Sequence, residues 1–171
     1  ITQYYWKHQE ANFGKPLKKE VDKGTHITFE IIIKKGDTYF ALRRPKELPR
    51  HVMTPKEKAF HGGMLYFCHD LIRYGESIEK CVSRIVKAQA GVSIKKYRVV
   101  YIESFLKREE WGLKHEQFAI IPHIMAEIND KPKINREITE VISFNKNSPP
   151  YEMAWWSKKE LKEFLDEHDN P

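Results

Sequence analysis

The chain has 171 residues, enough for one domain with a sizeable core and too few for two comfortable ones. Its composition of 40% hydrophobic and 12% aromatic residues argues against disorder, and no apolar run approaches the length of a membrane span. The 30 Lys and Arg exceed the 24 Asp and Glu, and the resulting net charge of +6 suits a phosphorylated or nucleic-acid ligand and equally a solvated cationic surface.

The first half of the chain predicts an extension followed by a β-hairpin. Residues 1–24 mix aromatic and basic side chains, and we expect them to form an N-terminal extension packed on a domain of residues 25–171. The β-branched run 25–33 predicts a strand, and Gly36 lies in a turn signal before a second strand at 38–44. Several prolines mark the following stretch as a loop.

A helix is predicted over residues 77–90. Its apolar positions recur with helical period on one face, at Ile78, Cys81, Val82, Ile85 and Val86. Ser77 suits the N-cap, and Glu79 in the first turn complements the positive end of the helix dipole. Gly91 suits the left-handed residue that ends a helix.

Strand patterns return after this helix. Residues 97–105 and 115–128 predict two strands joined by a turn at 109–112, and a third strand is predicted near 137–144. Pro122 interrupts the second run, so a bulge or a sheet edge is expected there.

The last predicted element is a helix that begins at Ser157. Glu160 lies three residues further on and completes a capping box, and Trp156 is placed to pack onto Leu161 as a hydrophobic staple. The order of elements predicts an α+β fold, with helices packed on a mixed β-sheet.

The helix and its surroundings resemble the Nudix box, G-x5-E-x7-R-E-U-x-E-E-x-G-U, where U is a bulky apolar residue. The pattern positions that match are Glu76, Arg84, Val86, Gly91 and Val92. Gly62 and Gly63 look like the glycine pair at the head of the box, but Gly63 lies thirteen positions before Glu76 instead of six. The resemblance covers about residues 25–166 and implies the family's α/β/α sandwich with a mixed sheet.

The resemblance also implies that the metal-binding part of the box is degenerate. In the family, three glutamates after the arginine hold divalent ions that polarise a diphosphate and activate water. Here these positions are Ile85, Ala88 and Gln89, which lack the anionic oxygens that Mg²⁺ prefers. The expected protein therefore has no resident metal or other cofactor, and binds its ligand without efficient hydrolysis.

Two other functions stay open. One is a Nudix-type pyrophosphohydrolase that uses Mg²⁺ on relocated ligands, for which Glu76, Glu79 and Asp70 are the candidate catalytic carboxylates. Glu79 is more simply a first-turn residue, and Glu76 with Arg84 is more simply a brace between loop and helix. The other is a structural or assembly subunit, and the chain is compatible with a homodimer.

A cationic stretch before the glycine pair is the predicted binding surface. Its candidate ligand-binding residues are Arg43, Arg44, Lys46, Arg50, Gly62 and Gly63. Arginine suits bidentate contacts to phosphate, and the expected partner is a nucleotide, another phosphorylated small molecule or RNA. Solubilising loop charges are the competing interpretation. Aromatic residues that are candidates to stack a base, although most are expected in packing, are Tyr66, Phe67, Tyr74, Trp111, Trp155 and Trp156.

The segment Cys68-His69-Asp70 lies within the lengthened box loop. We expect it to form local turn hydrogen bonds on a loop, and not to act as a nucleophile or a metal site. Cys68 and Cys81 form no zinc-type cluster and no disulfide scaffold, and the N-terminus lacks a signal-peptide core. These features predict a soluble cytoplasmic protein without a membrane partner.

Overall fold

A computed structural model of the chain describes residues 25–46, 63–73, 75–107 and 117–169. The strands are β1 (Thr25–Lys35), β2 (Thr38–Arg43), β3 (Leu65–Tyr66), β4 (Cys68–Leu71), β5 (Ile94–Lys107), β6 (Gln117–Ile128) and β7 (Glu140–Phe144). The helices are α1 (Ile78–Ala90) and α2 (Lys158–His168). The predicted N-terminal extension and the predicted turn at 109–112 lie outside the described residues.

All seven strands join one mixed sheet. Its main order is β3-β2-β1-β6-β5, while β4 also pairs with β1 and β7 also pairs with β2. Only the β1–β6 pair is parallel among the strand pairs of the described chain. On one side, β1 pairs with β4 through residues 28–31 and with β2 through residues 33–35. This change of partner inserts β4 into the sheet beside α1.

The two helices cover opposite faces of the sheet. Alternate side chains of a strand point to opposite faces, and β1 shows this clearly. Ile31 and Ile33 pack with α1 in one buried cluster, the α1-side core. Ile32 packs with Leu161 and Leu165 of α2 in a second cluster, the α2-side core. The predicted α/β/α sandwich with a mixed sheet is therefore confirmed.

Helix α1 begins and ends where its local signals predicted. The Ser77 hydroxyl accepts a hydrogen bond from the backbone N of Lys80 at 3.3 Å, and Gly91 has a left-handed φ of 71°. The predicted packing of Ile78 is wrong, because its side chain is 44% exposed. Helical side chains lean over the preceding turn, and Ile78 at the first helical position has no such turn beneath it.

The later strands differ from prediction in their details. β5 begins at Ile94, three residues early, and β7 begins at Glu140, three residues late. Pro122 does not lie on an edge, because β6 runs between β1 and β5. The predicted irregularity appears instead in its neighbours: β5 has a bulge between Val99 and Tyr101, and the β1–β6 pairing is interrupted around Pro122, which lacks an N–H to donate.

Helix α2 is held at both ends. Its predicted capping box forms, with Ser157 and Glu160 each accepting a hydrogen bond from the other's backbone N. At the other end the Asp169 carboxylate accepts hydrogen bonds from Lys34 and Tyr39, which lie on β1 and β2. No helix in the described part of the chain is long and apolar enough to cross a membrane.

Candidate functional site

The segment predicted as an inserted loop is a strand. Cys68, His69 and Asp70 belong to β4 and pair antiparallel with β1, so the loop prediction is wrong. A short polar run carries no alternating pattern, and its pairing partner lies about 40 residues earlier in the sequence. Cys68 points into the α1-side core, where burial raises the pKa of its thiol to about 12. The thiol therefore stays protonated near neutral pH and is a poor nucleophile.

Gln89 closes the open edge of β4. Its Oε1 accepts a hydrogen bond from the backbone N of His69 at 3.0 Å, and its Nε2 donates one to the backbone O of His69 at 2.7 Å. One side-chain amide thus satisfies both outward-facing backbone groups of a half-buried strand residue. Gln89 lies where the family pattern has its third glutamate, and here it holds sheet to helix.

We expect Gln89→Glu to destabilise the protein by about 1–3 kcal/mol, the cost of leaving a buried acceptor unpaired. The carboxylate cannot donate to the His69 carbonyl and places a negative charge against it. Urea unfolding at pH 7 measures the loss. Ala88→Glu adds the same charge at an exposed position of the same helix and should change stability by less than about 0.5 kcal/mol. Equal stability of Gln89→Glu and the wild type would contradict this assignment.

At the other two positions where the Nudix pattern has glutamate, the side chains have no atom that could bind a metal ion. Ile85 is 1% exposed within the α1-side core, and Ala88 presents a methyl group to solvent. Within residues 25–46, 63–73, 75–107 and 117–169, no group of three or more His, Cys, Asp or Glu side chains is placed to hold a metal ion.

Arg84 contacts two of the three candidate catalytic carboxylates. Its Nε donates to Glu76 Oε1 at 2.7 Å, its Nη2 donates to Glu76 Oε2 at 2.9 Å, and its Nη1 lies 3.3 Å from Asp70 Oδ2. The hydrogen bonds from Arg84 lower the pKa of Glu76 to about 2. The structure thus contains the predicted brace between loop and helix. Glu79 stands apart, exposed in the first turn of α1.

Two neighbouring arginines of the predicted binding surface have different surroundings. Arg43 is neutralised: it forms ion pairs with Glu140 and Glu152, and its Nη1 donates to the Gly63 carbonyl at 2.9 Å. These contacts tie β2 to β7 and to the segment before α2. Arg43 therefore acts as a structural tie, with its charge already compensated.

Arg44 lies on an aromatic ring. Its guanidinium carbon lies 4.9 Å from the centroid of the Tyr66 ring, and that ring stacks on His69 at 5.6 Å. Among the described residues, its Nη2 makes two long contacts, 3.4 Å to His69 Nδ1 and 3.5 Å to Gln89 Oε1. In the described part of the chain, no carboxylate oxygen lies within ion-pair distance of Arg44.

The remaining predicted residues are only partly described. Lys46 is exposed, and its side chain covers Gly63 so closely that a Cβ added there would lie 3.0 Å from Lys46 Cγ. Gly63 has a φ of 78°, which also favours glycine at this position. Arg50 and Gly62 lie outside the described residues. The structure thus brings Arg44, Lys46 and Gly63 together beside the end of β2 and the start of β3.

Solved structures with the same arrangement of elements are Nudix hydrolases. A MutT Nudix hydrolase from Burkholderia pseudomallei superposes with a TM-score of 0.58 at 11% identity, covering 85% of this chain and 98% of that one. The MutT protein from Methanosarcina mazei Go1 gives 0.56 at 15% identity, covering 90% and 96%. The chain has the Nudix fold. A UDP-X diphosphatase gives a TM-score of 0.51 at 10% identity, covering 85% of this chain and 64% of that one.

Comparison of the sequence alone finds no match. No protein-family model matches the sequence, and no curated protein matches it. At 10–15% identity the structural likeness concerns the fold alone.

Two residues of the Arg44 site have roles that differ from those predicted. The Tyr66 ring, a candidate to stack a base, is buried under the Arg44 guanidinium. His69, expected in a turn, lies on β4 between Tyr66 and Gln89. Of the other aromatic candidates, Phe67 is buried, Trp155 is exposed and Trp156 packs on the α2-side core. Tyr74 and Trp111 lie outside the described residues.

Proposed function

We propose that this Nudix-fold protein binds a nucleotide or another phosphorylated small molecule at Arg44, without efficient hydrolysis. The observation that carries the proposal is the guanidinium of Arg44, which has no carboxylate partner in the described chain and lies 3.5 Å from Gln89 Oε1. The positively charged guanidinium therefore lies beside Gln89, which occupies the position of the third glutamate in the Nudix pattern. It is available to a phosphate, whereas Arg43 is compensated by Glu140 and Glu152.

The physical chemistry of Arg44 suits an anionic ligand. A guanidinium is always charged, and its planar fork matches two phosphate oxygens. Stacking on Tyr66 limits the orientations that the guanidinium adopts, which lowers the entropy lost when a ligand binds. The amide of Gln89 is neutral and places no carboxylate beside this guanidinium.

The residues of α1 do not fit the metal ion that the Nudix family uses. Ile85 offers no oxygen, Ala88 offers none, and both ends of the Gln89 amide bond the backbone of His69. The carboxylates of Asp70 and Glu76 contact Arg84. These contacts support binding over hydrolysis.

We expect Arg44→Ala to weaken the binding of a nucleoside diphosphate by about 1–3 kcal/mol, the range for charge-assisted hydrogen bonds. Titration calorimetry with ADP and UDP, in the presence of EDTA, measures the change in Kd. Lys35→Ala is the matched control, because it removes one exposed cation at the far end of the β1–β2 hairpin. Binding that is equal in Arg44→Ala and the wild type would place the ligand elsewhere.

Three further outcomes separate the competing functions. Rapid release of product from ADP-ribose or nucleoside triphosphates with Mg²⁺ or Mn²⁺, lost in Asp70→Asn or Glu79→Gln, would establish hydrolysis on relocated ligands. An affinity for RNA that falls steeply with salt would identify a nucleic-acid ligand. Absence of binding to both RNA and nucleotides would favour a structural or assembly subunit.

A further inference from the structure

Strand β5 lies at an edge of the sheet. It pairs with β6 on one side, and no other strand of the described chain pairs with it on the other side. Its 14 residues make it the longest of the described strands. The backbone N–H and C=O groups along its open side are therefore placed to hydrogen-bond a strand of another chain.

The middle of β5 exposes large apolar side chains. Val99 is 43% exposed, Tyr101 is 47% exposed and Ile102 is 59% exposed. Single exposed apolar residues are common, but three within four consecutive positions of an open edge strand form a continuous apolar surface. This surface is a candidate for contact with another protein chain.

Val99 and Ile102 point to the face of the sheet that α1 covers. Val99 lies opposite Ile124, which packs in the α1-side core. Ile102 lies opposite Pro122, two residues before Ile124 on β6, and side chains two positions apart in a strand share a face. The bulge between Val99 and Tyr101 makes this possible, because residues three positions apart in an unbroken strand lie on opposite faces.

Arg98 and Glu103 flank this apolar pair and point to the opposite face, which α2 covers. Arg98 Nη2 donates to the Asp169 carboxylate at the end of α2. Glu103 Oε1 lies 3.3 Å from His123 Nε2, and the His123 ring contacts Phe164 of α2. Both charged side chains stay partly exposed. The bulge again brings two residues, here five positions apart, to one face.

The centre of β5 is complementary to itself when it is read in reverse. In an antiparallel pair of two copies centred on residues 100–101, Arg98 of each copy lies opposite Glu103 of the other, on the α2 face. On the α1 face, Val99 of each copy lies opposite Ile102 of the other. Opposite charges and apolar residues are both favourable cross-strand pairs.

We propose that β5 is a homodimer interface, at which two copies join their sheets by antiparallel β5–β5 pairing about a twofold axis at the bulge. Such an interface uses the same surface on both copies, so it requires a self-complementary strand. Lys95 and Lys96 near the start of β5 lie at opposite ends of the paired strands, so the lysines of the two copies do not face each other. Lys96 also pairs with Glu127 at 3.0 Å.

Sedimentation equilibrium without ligand tests the pairing, and its result does not depend on the Arg44 site. The wild type should be a dimer at micromolar concentration. Arg98→Glu and Glu103→Arg should each weaken dimerisation by about tenfold or more, because each variant places two like-charged pairs across the interface. Glu137→Arg makes the same charge change as Glu103→Arg at an exposed position before β7, and this control should dimerise like the wild type.

An equimolar mixture of Arg98→Glu and Glu103→Arg gives the sharpest test. Every charged contact of the mixed dimer again joins opposite charges, so the mixture should associate about as tightly as the wild type. Ile102→Lys tests the apolar contacts without changing Arg98, which also holds Asp169. Its side chain is exposed in the single chain, so the variant should stay folded and dimerise about tenfold or more weakly.

Disulfide cross-linking tests the register. A mixture of Val99→Cys and Ile102→Cys should form covalent dimers faster than Ile102→Cys alone, because the pairing places residue 99 of one copy opposite residue 102 of the other. The proposal is overturned if the wild type is monomeric, if Glu103→Arg or Ile102→Lys dimerises as tightly as the wild type, or if the charge-reversed mixture associates no better than its components. Equal cross-linking of Ile102→Cys alone would show a different interface.

Discussion

Ile85→Glu should unfold the protein under conditions where the wild type stays folded. Ile85 is 1% exposed and packs in the α1-side core among aliphatic residues of β1 and β6. A glutamate there buries a carboxylate with no cation offered to it, since the neighbouring Arg84 is engaged by Glu76. We expect a loss of about 3–5 kcal/mol, at the upper end of single-residue effects.

Chemical denaturation at pH 7 measures this loss, and Ile85→Leu is the matched control. Leucine keeps the volume and apolar character, so its cost should stay below about 1.5 kcal/mol. Unchanged stability in Ile85→Glu would show that this face of α1 is exposed and that the helix register is wrong. The prediction also implies that restoring glutamates at 85, 88 and 89 destabilises the fold before it provides a metal site.

Arg84→Met should cost about 2–4 kcal/mol, because it leaves buried polar groups without their partner. Glu76 is only 11% exposed at its side chain and would lose two hydrogen bonds from the guanidinium. The Leu71 carbonyl, at the end of β4, would lose its 2.9 Å bond from Arg84 Nη2. The loop before α1 and the last strand residue would both be released.

A double-mutant cycle separates this brace from simple loss of packing. If the cost comes from an uncompensated carboxylate, Arg84→Met combined with Glu76→Leu should be more stable than Arg84→Met alone. Additive losses would contradict the assignment. Glu79→Gln removes a carboxylate that is exposed in the first turn of α1 and is the control, with an expected change within about 0.5 kcal/mol.

The same brace predicts how stability responds to acid. The pKa of Glu76 is lowered from 4.5 to about 2 in the folded protein, so its contribution is present above pH 4.5 and is lost as pH falls toward 2. Arg84→Met lacks this contribution. The stability difference between wild type and variant should therefore be smaller at pH 3 than at pH 6.

Features carried by neighbouring residues could be predicted from the sequence. The caps of α1 at Ser77 and Gly91 and the capping box of Ser157 with Glu160 form as expected, and so does the apolar stripe containing Ile85 apart from its first member, Ile78. Each depends on interactions within a few positions of the chain, which the spacing of residue types displays directly. The order of these elements predicted helices packed on a mixed sheet, and the resemblance to the Nudix box implied the α/β/α sandwich.

Features that depend on partners distant in the sequence were decided only by the tertiary structure. Arg43 and Arg44 are adjacent, yet the first is compensated by Glu140 and Glu152, about a hundred positions away, and the second has no carboxylate within ion-pair distance among the described residues. Glu30 lies opposite His123 only because β1 and β6 pair in parallel. Local sequence records propensity and periodicity, whereas the pairing of strands and charges is settled by packing of the whole chain. The helices and their caps were therefore visible in the sequence, while the different surroundings of Arg43 and Arg44 depend on tertiary contacts.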